Sequence, residues 1–455
     1  MKTKTKKRLI LLLLLFILGA VTGVVLIQFE GKKPELVLDD VVRSVGIQRT
    51  LSGHVSDQGK GIRRIWIALI RDKTETVLFE ETLPSAGFIR GGMVFDKEVS
   101  LDVNPTALGI SDGPATLRIA VWDYSWRNWL KGNTLYSEFP ITIDTRPPSI
   151  SILSRQHNIN QGGAAVVVYR VTDDTVDTGV KVGDNRYDGY SGYFKDPSVY
   201  LAFFALSHTQ GKNTPLWVEA VDAAGNTAKT GFPCYIRNRK FKTDRIPLSD
   251  RFLKMKMLEF QGDPDVAGQA SALEQFLMVN RKLRKANSET LRAACSSPVQ
   301  KKQWDGAFLR LPRSATRANF ADHRSYMYNN KVVDQQYHMG IDLASVAQSP
   351  IPAANAGTVC MVGPVGIYGI VVMIDHGFGI FSQYAHMSRA DVAPGDVVEK
   401  GTIIGRTGAT GLAGGDHLHF GMMVGETFVN PVEWWDSSWI ENNIERKLRK
   451  VEASL

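Results

Sequence analysis

The sequence predicts a mainly β, multidomain chain: an N-terminal transmembrane helix, two β-sandwich modules, a short helical segment and a C-terminal antiparallel β domain. Three observations predict it. One apolar run follows a basic N-terminus, alternating strand patterns repeat over about 200 residues, and the pattern changes to helical spacing before a Gly-rich β region begins. The length of 455 residues leaves room for two to four domains, and the composition (44% hydrophobic, 22% charged, 41 Gly, 19 Pro) is that of folded modules. Disordered, collagen-like and polytopic membrane chains are excluded.

The first element is the apolar run. Lys2, Lys4, Lys6, Lys7 and Arg8 precede Leu9 to Ile27, which contains no charged residue. A helix of that length rises about 28 Å, close to the roughly 30 Å hydrocarbon core of a bilayer. Residues 9–29 are therefore expected to be a transmembrane signal anchor and 1–8 a cytoplasmic basic stub, since the positive charges outnumber Lys32 and Lys33 beyond the run. A cleaved signal peptide is the alternative, but the run lacks an A-x-A site and resumes at Val24 to Ile27. The whole chain carries 54 basic and 46 acidic residues, a net charge of +8. The five basic residues ahead of the run account for most of the surplus and leave +3 elsewhere, so no nucleic-acid partner is expected. Cys234, Cys295 and Cys360 are too few for a disulfide scaffold or a cysteine metal site.

Between Lys33 and Lys240 short alternating runs such as Ile65 to Leu69 and Ala164 to Val168 predict strands. This stretch repeats. Val55-Ser56-Asp57 matches Val171-Thr172-Asp173, Leu117 to Asp123 matches Leu216 to Asp222, and Phe139-Pro140 with Ile143 matches Phe232-Pro233 with Ile236. Three matches in one order imply duplication. Each copy has the size of an Ig-like β-sandwich, so residues 34–145 and 147–240 are expected to form two such modules joined at Arg146-Pro147-Pro148. The second resembles bacterial Ig-like modules of surface proteins, which implies a fold and a spacer role. Aspartates at these turns are expected to hydrogen-bond their own backbone, in preference to holding calcium.

Residues 248–300 are expected to be a helical linker segment. Leu273, Phe276, Leu277 and Leu283 fall at helical spacing, and Ser271 with Glu274 has the pattern of a capping box. The cluster Arg281, Lys282, Arg284 and Lys285 is read as a solvated helix face. This segment is expected to pack beside the C-terminal domain and limit access to it.

Six of the nine histidines fall between residues 323 and 419. His338-Met-Gly-Ile-Asp342 sets a histidine and a carboxylate four apart, and His417-Leu-His419 sets two imidazoles on one face of a strand. On a straight strand Asp342 would lie about 13 Å from His338, so a bend is expected near Gly340. A catalytic zinc takes three N or O ligands and keeps one position open. His338, Asp342 and one histidine of the pair would supply three, leaving two histidines, the other of the pair and His386, for proton transfer and charge stabilisation. His376 and His323 are expected to be structural. Tyr384 is a possible substrate or supporting residue, because it alternates with His386 along one strand. Cys360 is read as a core thiol.

These residues carry a resemblance. Phe320 to Arg324, His338 to Asp342, Pro352 to Val359, Asp375-His376-Gly377, Tyr384-Ala385-His386, Val392 to Gly401, Gly405, His417 to Phe420 and Asn430-Pro431 stand in an order that resembles the lysostaphin/LytM-type zinc metallopeptidases, which cut peptide bonds in peptidoglycan. The resemblance covers 306–435, with 436–455 left as a C-terminal helical tail. It implies one Zn2+ per catalytic domain, held by His338, Asp342 and His419, with His386 and His417 as the catalytic pair. It also implies peptidoglycan as substrate, at the outer side of a bacterial cytoplasmic membrane reached through the N-terminal anchor. Gly421 departs from the acidic residue that many relatives carry there. The alternative is a non-catalytic wall-binding or amidase-activating scaffold of the same fold, against which the five intact residues count.

Overall fold

The computed structural model describes residues 2–172 and 174–455; Asp173 of the repeated motif lies outside the described residues. The chain divides into two compact units, one comprising residues up to Pro148 with Val221–Thr227, the other Ser149–Ala220 with Ala228–Leu455.

The first unit begins with one continuous helix, Lys2–Gln28, of which Lys6–Gln28 is long and apolar enough to cross a membrane. Two sheets follow. Strands Glu35–Leu38, Arg49–Ser56 and Asp96–Val103 form one, and Ser44–Val45, Thr134–Ile143, Gly113–Asp123, Ile62–Arg71 and Thr74–Thr82 form the other, in that spatial order. Alternation of side chains along each strand turns Leu51, Val55, Val99 and Val103 of the first sheet against Ile65, Ile67, Leu117 and Ile119 of the second, in one buried cluster. This is a two-sheet sandwich, compatible with the expected Ig-like fold.

The second unit opens on a similar β arrangement. Strands Ile150–Ile152, Ala164–Val171 and Val199–Ala205 pair in one sheet, and Asn185–Asp188, Thr175–Val182, Leu216–Asp222 and Thr227–Gly231 in another. Ala164–Val171 is buried almost throughout, because it is covered on both faces. One hydrophobic core runs from Val166 and Phe204 through to Phe381 and Met423, so these strands and the C-terminal sheet pack as a single body. A buried carboxylate holds them together: Glu433 accepts hydrogen bonds from Asn160 Nδ2 at 2.6 Å and from the Ala164 amide at 3.0 Å.

The helical segment runs from Asp250 to Ala293 in short pieces. Ser249 and Ser271 cap two of them; the Ser271 hydroxyl accepts from the Glu274 amide at 3.2 Å, the N-cap half of the capping box, and donates to the Glu274 carboxylate at 3.0 Å. Phe276 is fully buried, while Leu273, Leu277 and Leu283 lie against the same core. Arg281 pairs with Asp334 at 3.0 Å and Lys282 with Asp265, which accounts for much of the basic cluster.

The C-terminal sheet is antiparallel, with its strands ordered Ala315–Ala318, Ile341–Ala344, Leu418–Val424, Ile380–Met387, Ile370–Asp375, Gly357–Pro364 and Val397–Val398. Short helices from Ser437 to Glu452 follow it.

Replacing Glu433 by Ala would strand the Ala164 N–H and the Asn160 amide in the core, at a cost of about 1–3 kcal/mol. A thermal melt of Glu433→Ala is expected to show a midpoint several degrees below wild type; an unchanged midpoint would contradict the role given to this carboxylate.

Candidate metal centre

The site is built by strand register. Asp342 faces His419 directly across the Ile341–Ala344 and Leu418–Val424 pair, and His419 faces Ala385 on its other side. Directly opposed residues share a face with Cβ atoms about 5 Å apart, so the carboxylate and the imidazole must meet. His338 enters from the end of the preceding strand, Lys331–Tyr337, and the chain bends at Gly340 as expected. The bend needs glycine: a Cβ there would lie 2.6 Å from His419 Nε2 and 2.7 Å from the Phe420 carbonyl.

His338 Nε2, Asp342 Oδ1 and His419 Nδ1 converge, each 2.9 Å from the other two. All three residues are buried or nearly so. Carbonyl oxygens set the tautomers around them. The Nδ1 of His338 donates to Asn319 O at 2.9 Å, that of His386 to Thr410 O at 2.9 Å, and that of His417 to Gly415 O at 2.8 Å. Each of these rings therefore carries its lone pair on Nε2 when neutral. Two imidazole nitrogens and a carboxylate oxygen packed this closely form a donor set for a divalent cation, and among the described residues His338, Asp342 and His419 form such a group.

The other two histidines stand at the rim. His417 Nε2 is 3.5 Å from Asp342 Oδ1, and the His386 ring lies 4.9 Å from that of His417 and 5.7 Å from that of His419. Burial, then the neighbouring His419 and His417, hold His386 well below the ordinary histidine range. Burial likewise brings His419 down to about 4. For His417 burial acts in the same direction but is outweighed by the hydrogen bond and charge of Asp342, and its proton is held more tightly. Burial would raise Asp342, yet the surrounding histidines, His338 foremost, keep it ionised well below the usual carboxylate range.

Tyr384 does not face this site. It is 1% exposed, its hydroxyl accepts from the Ala354 amide at 2.7 Å and from Ser382, and its ring packs on Phe420. A bulge separates it from His386: Ile370 pairs with Met387 but Val372 with Tyr384, and His386 takes a positive φ of 61°. The extra residue breaks the alternation from which a shared face was expected. His376 is fully buried between Ala356 O and Ser382 Oγ, and His323 stacks against Tyr337; both are structural in position. Cys360 is a free, partly buried thiol. Beside Gly421 the Gln383 side chain fills the space, 2.8 Å from where a Cβ would sit.

Sequence reasoning missed several contributors. Arg324 donates from Nη2 to Asp342 Oδ2 at 3.0 Å, fixing the outer oxygen of the carboxylate. The only signal for it was its place in Phe320 to Arg324, just ahead of the histidine motif. The helical segment supplies Phe252, Phe276 and Arg284 to a cavity of about 360 Å3 that also contains His338, Asp342 and His386. From the same segment Lys256 Nζ donates to Ala409 O at 2.7 Å and Gly411 O at 2.9 Å, gripping the loop whose Thr410 carbonyl orients His386.

A buried nitrogen and oxygen donor set on an antiparallel sheet, with two more histidines at its edge, is a group that could hold a metal ion. Residues 336–431 match the family described as Peptidase family M23, and the chain carries an M23 domain at its C-terminal end. The DD-carboxypeptidase/endopeptidase Mpg of Neisseria meningitidis serogroup B is 40% identical over 95 residues, 21% of this chain and 22% of that protein. The peptidoglycan DD-endopeptidase ShyC of Vibrio cholerae is 32% identical over 127 residues, 28% of this chain and 29% of that protein. This chain thus spans less than a third of the length of either curated relative. A crystal structure described as a peptidase M23 of Pseudomonas aeruginosa aligns at 19% identity over 61% of this chain and 94% of that one, with a TM-score of 0.39.

Gly340→Ala is expected to push the His419 ring and the Phe420 backbone apart, destabilising the domain by about 1–3 kcal/mol. Metal content and thermal midpoint of the purified variant should both fall; wild-type values for both would show that the bend does not depend on a bare Cα.

Proposed function

We propose that this chain is a membrane-anchored zinc metallo-endopeptidase that hydrolyses peptide bonds in peptidoglycan. The observation that carries the reading is the convergence of His338 Nε2, Asp342 Oδ1 and His419 Nδ1 within 2.9 Å of one another, inside an M23 domain. The names of the curated relatives, a DD-carboxypeptidase/endopeptidase and a peptidoglycan DD-endopeptidase, support the substrate.

His338, Asp342 and His419 would hold the metal. Bound zinc supplies Lewis-acid polarisation of the scissile carbonyl and acidifies the attacking water. His386, kept neutral by burial with its lone pair on Nε2, takes a proton from that water. His417, whose proton is held by Asp342, donates from Nε2 to the oxygen that gains negative charge. Arg324 fixes Oδ2 of Asp342, so that Oδ1 stays directed at the two histidine nitrogens.

The remaining assignments follow the same reading. Residues 306–435 would be the catalytic domain, 34–145 an Ig-like spacer, 147–240 an Ig-like module packed into the same body as the catalytic domain, and 248–300 a wall of the substrate groove. The apolar helix would cross the cytoplasmic membrane once with its basic end inside, leaving the catalytic domain on the wall side.

Full-length protein is expected to release soluble peptides from purified peptidoglycan and to stop when a strong chelator is added; digestion unaffected by chelation would refute the metal role. His417→Ala should retain its zinc while turnover drops about 10²–10⁴-fold, whereas His338→Ala should lose both; equal zinc contents in the two would reverse the assignment. Protonation of His386 or His419 abolishes their roles, and both titrate below the ordinary value of 6.5. On the acid side activity should therefore persist down to pH 6.5 and fall in more acidic buffer, while loss of the His417 proton gives a separate alkaline limb; an acid limb centred above 6.5 would contradict the neutral-histidine scheme.

A further inference from the structure

A second set of acidic side chains, unrelated to the M23 site, lies in the first unit where the membrane-proximal helix ends. Glu30 follows Lys2–Gln28 by two residues, Asp57 follows strand Arg49–Ser56, and Asp123 closes strand Gly113–Asp123. One carboxylate oxygen from each lies within 4.8 Å of the others.

The turn role expected for these aspartates accounts for half of each side chain. Asp57 Oδ2 accepts from the Gly59 and Gly61 amides at 3.0 and 2.6 Å, and Asp123 Oδ1 accepts from the Ser125 and Asn133 amides at 2.9 and 2.6 Å. Of the two second oxygens, Asp123 Oδ2 meets the Asn133 side-chain amide at 2.8 Å. Asp57 is only 3% exposed, yet its Oδ1 has no hydrogen-bond donor among the described residues. Among those residues, too, no lysine, arginine or histidine side-chain nitrogen pairs within 4.0 Å with the Glu30, Asp57 or Asp123 carboxylates; Glu30 Oε2 accepts only from the Lys32 backbone amide, at 2.8 Å. Uncompensated like charges in a buried pocket are costly, and they are resolved by protons or by a cation. Burial, then the adjacent carboxylates, hold Glu30 and Asp57 above their ordinary range.

The surroundings favour the cation. Asn133 Nδ2 lies 2.8 Å from Asp123 Oδ2, 2.9 Å from Lys32 O, and 3.2 Å from both Glu30 O and Glu30 Oε1. An amide has two N–H bonds and cannot serve four acceptors, whereas the same amide turned over would add a further oxygen to them. The result is a cage of carboxylate, carbonyl and amide oxygens, without the nitrogen or sulfur donors that zinc takes. Such a cage suits calcium, which accepts six to eight oxygens in irregular geometry, better than magnesium, which demands a near-ideal octahedron and keeps its waters.

We propose that Glu30, Asp57 and Asp123, with Asn133 and the Lys32 carbonyl, form a calcium site that ties the end of the N-terminal helix to three strand ends of the first sandwich. The bound ion stiffens the joint between anchor and spacer.

The test uses full-length protein in detergent, dialysed against calcium at about 1 mM, the range of extracellular modules, with bound metal counted by mass spectrometry. Wild type and His338→Ala are expected to take up calcium equally, while Asp57→Asn retains one equivalent less. Glu30→Gln alters only a linker side chain, so its fold is secure, and its affinity should fall about tenfold. Without calcium both variants should melt at or above the wild-type temperature, since a repulsion has been removed; with calcium, wild type alone should be stabilised. Equal calcium content in wild type and the two variants, an equal stabilisation by magnesium, or no uptake by wild type at this concentration would each overturn the proposal.

Discussion

The pairing of Ile341–Ala344 with Leu418–Val424 is the constraint on which the rest of the C-terminal unit depends. It sets Asp342 opposite His419 and leaves no choice about their meeting, because opposed residues on an antiparallel pair point the same way. A slip of one residue would turn Asp342 into the core and Leu343 into the site. That slip is opposed from both faces. Ile341 and Leu343 are buried on the far side, and Arg324 holds Asp342 Oδ2 on the near side. The register is thus fixed by apolar burial and by an ion pair acting on the same strand.

Around that pair, backbone carbonyls rather than side chains set the proton positions. Asn319, Thr410 and Gly415 each accept from one histidine Nδ1. Carbonyls in loops are only as fixed as the loops. The loop bearing Thr410 is gripped by Lys256, and Ile367 donates from its amide to Asn287 Oδ1 at 2.9 Å, both partners coming from the helical segment. The helices therefore orient a histidine as well as line the cavity, which binds their packing to the chemistry of the site. The strands from 149 to 220 join the same body through Glu433 and a shared core.

Much of this was legible in the sequence. His338, Asp342 and His419 lie in short local motifs whose spacing already implied a shared face and a bend, and Gly340 marks the bend. The capping box at Ser271 was legible for the same reason, since its two partners lie three residues apart. What escaped was non-local or irregular. The bulge that gives His386 a positive φ leaves no trace in alternation, so Tyr384 was expected on the wrong face. Arg324 meets Asp342 across a hairpin, Asn319 contributes only its carbonyl, and Lys256 reaches its loop from more than 150 residues away. The turn aspartates were read correctly for one oxygen each, and the burial that strands the other oxygen of Asp57 is invisible without coordinates.

The central claim is that three side chains set by strand register hold one metal ion, and anomalous X-ray scattering measured on either side of the zinc absorption edge tests it most directly. Crystals of the full-length protein should give a peak that appears above the edge and lies among His338 Nε2, Asp342 Oδ1 and His419 Nδ1. A fully loaded protein whose zinc peak lies elsewhere, or that shows none at these three atoms, would contradict the account.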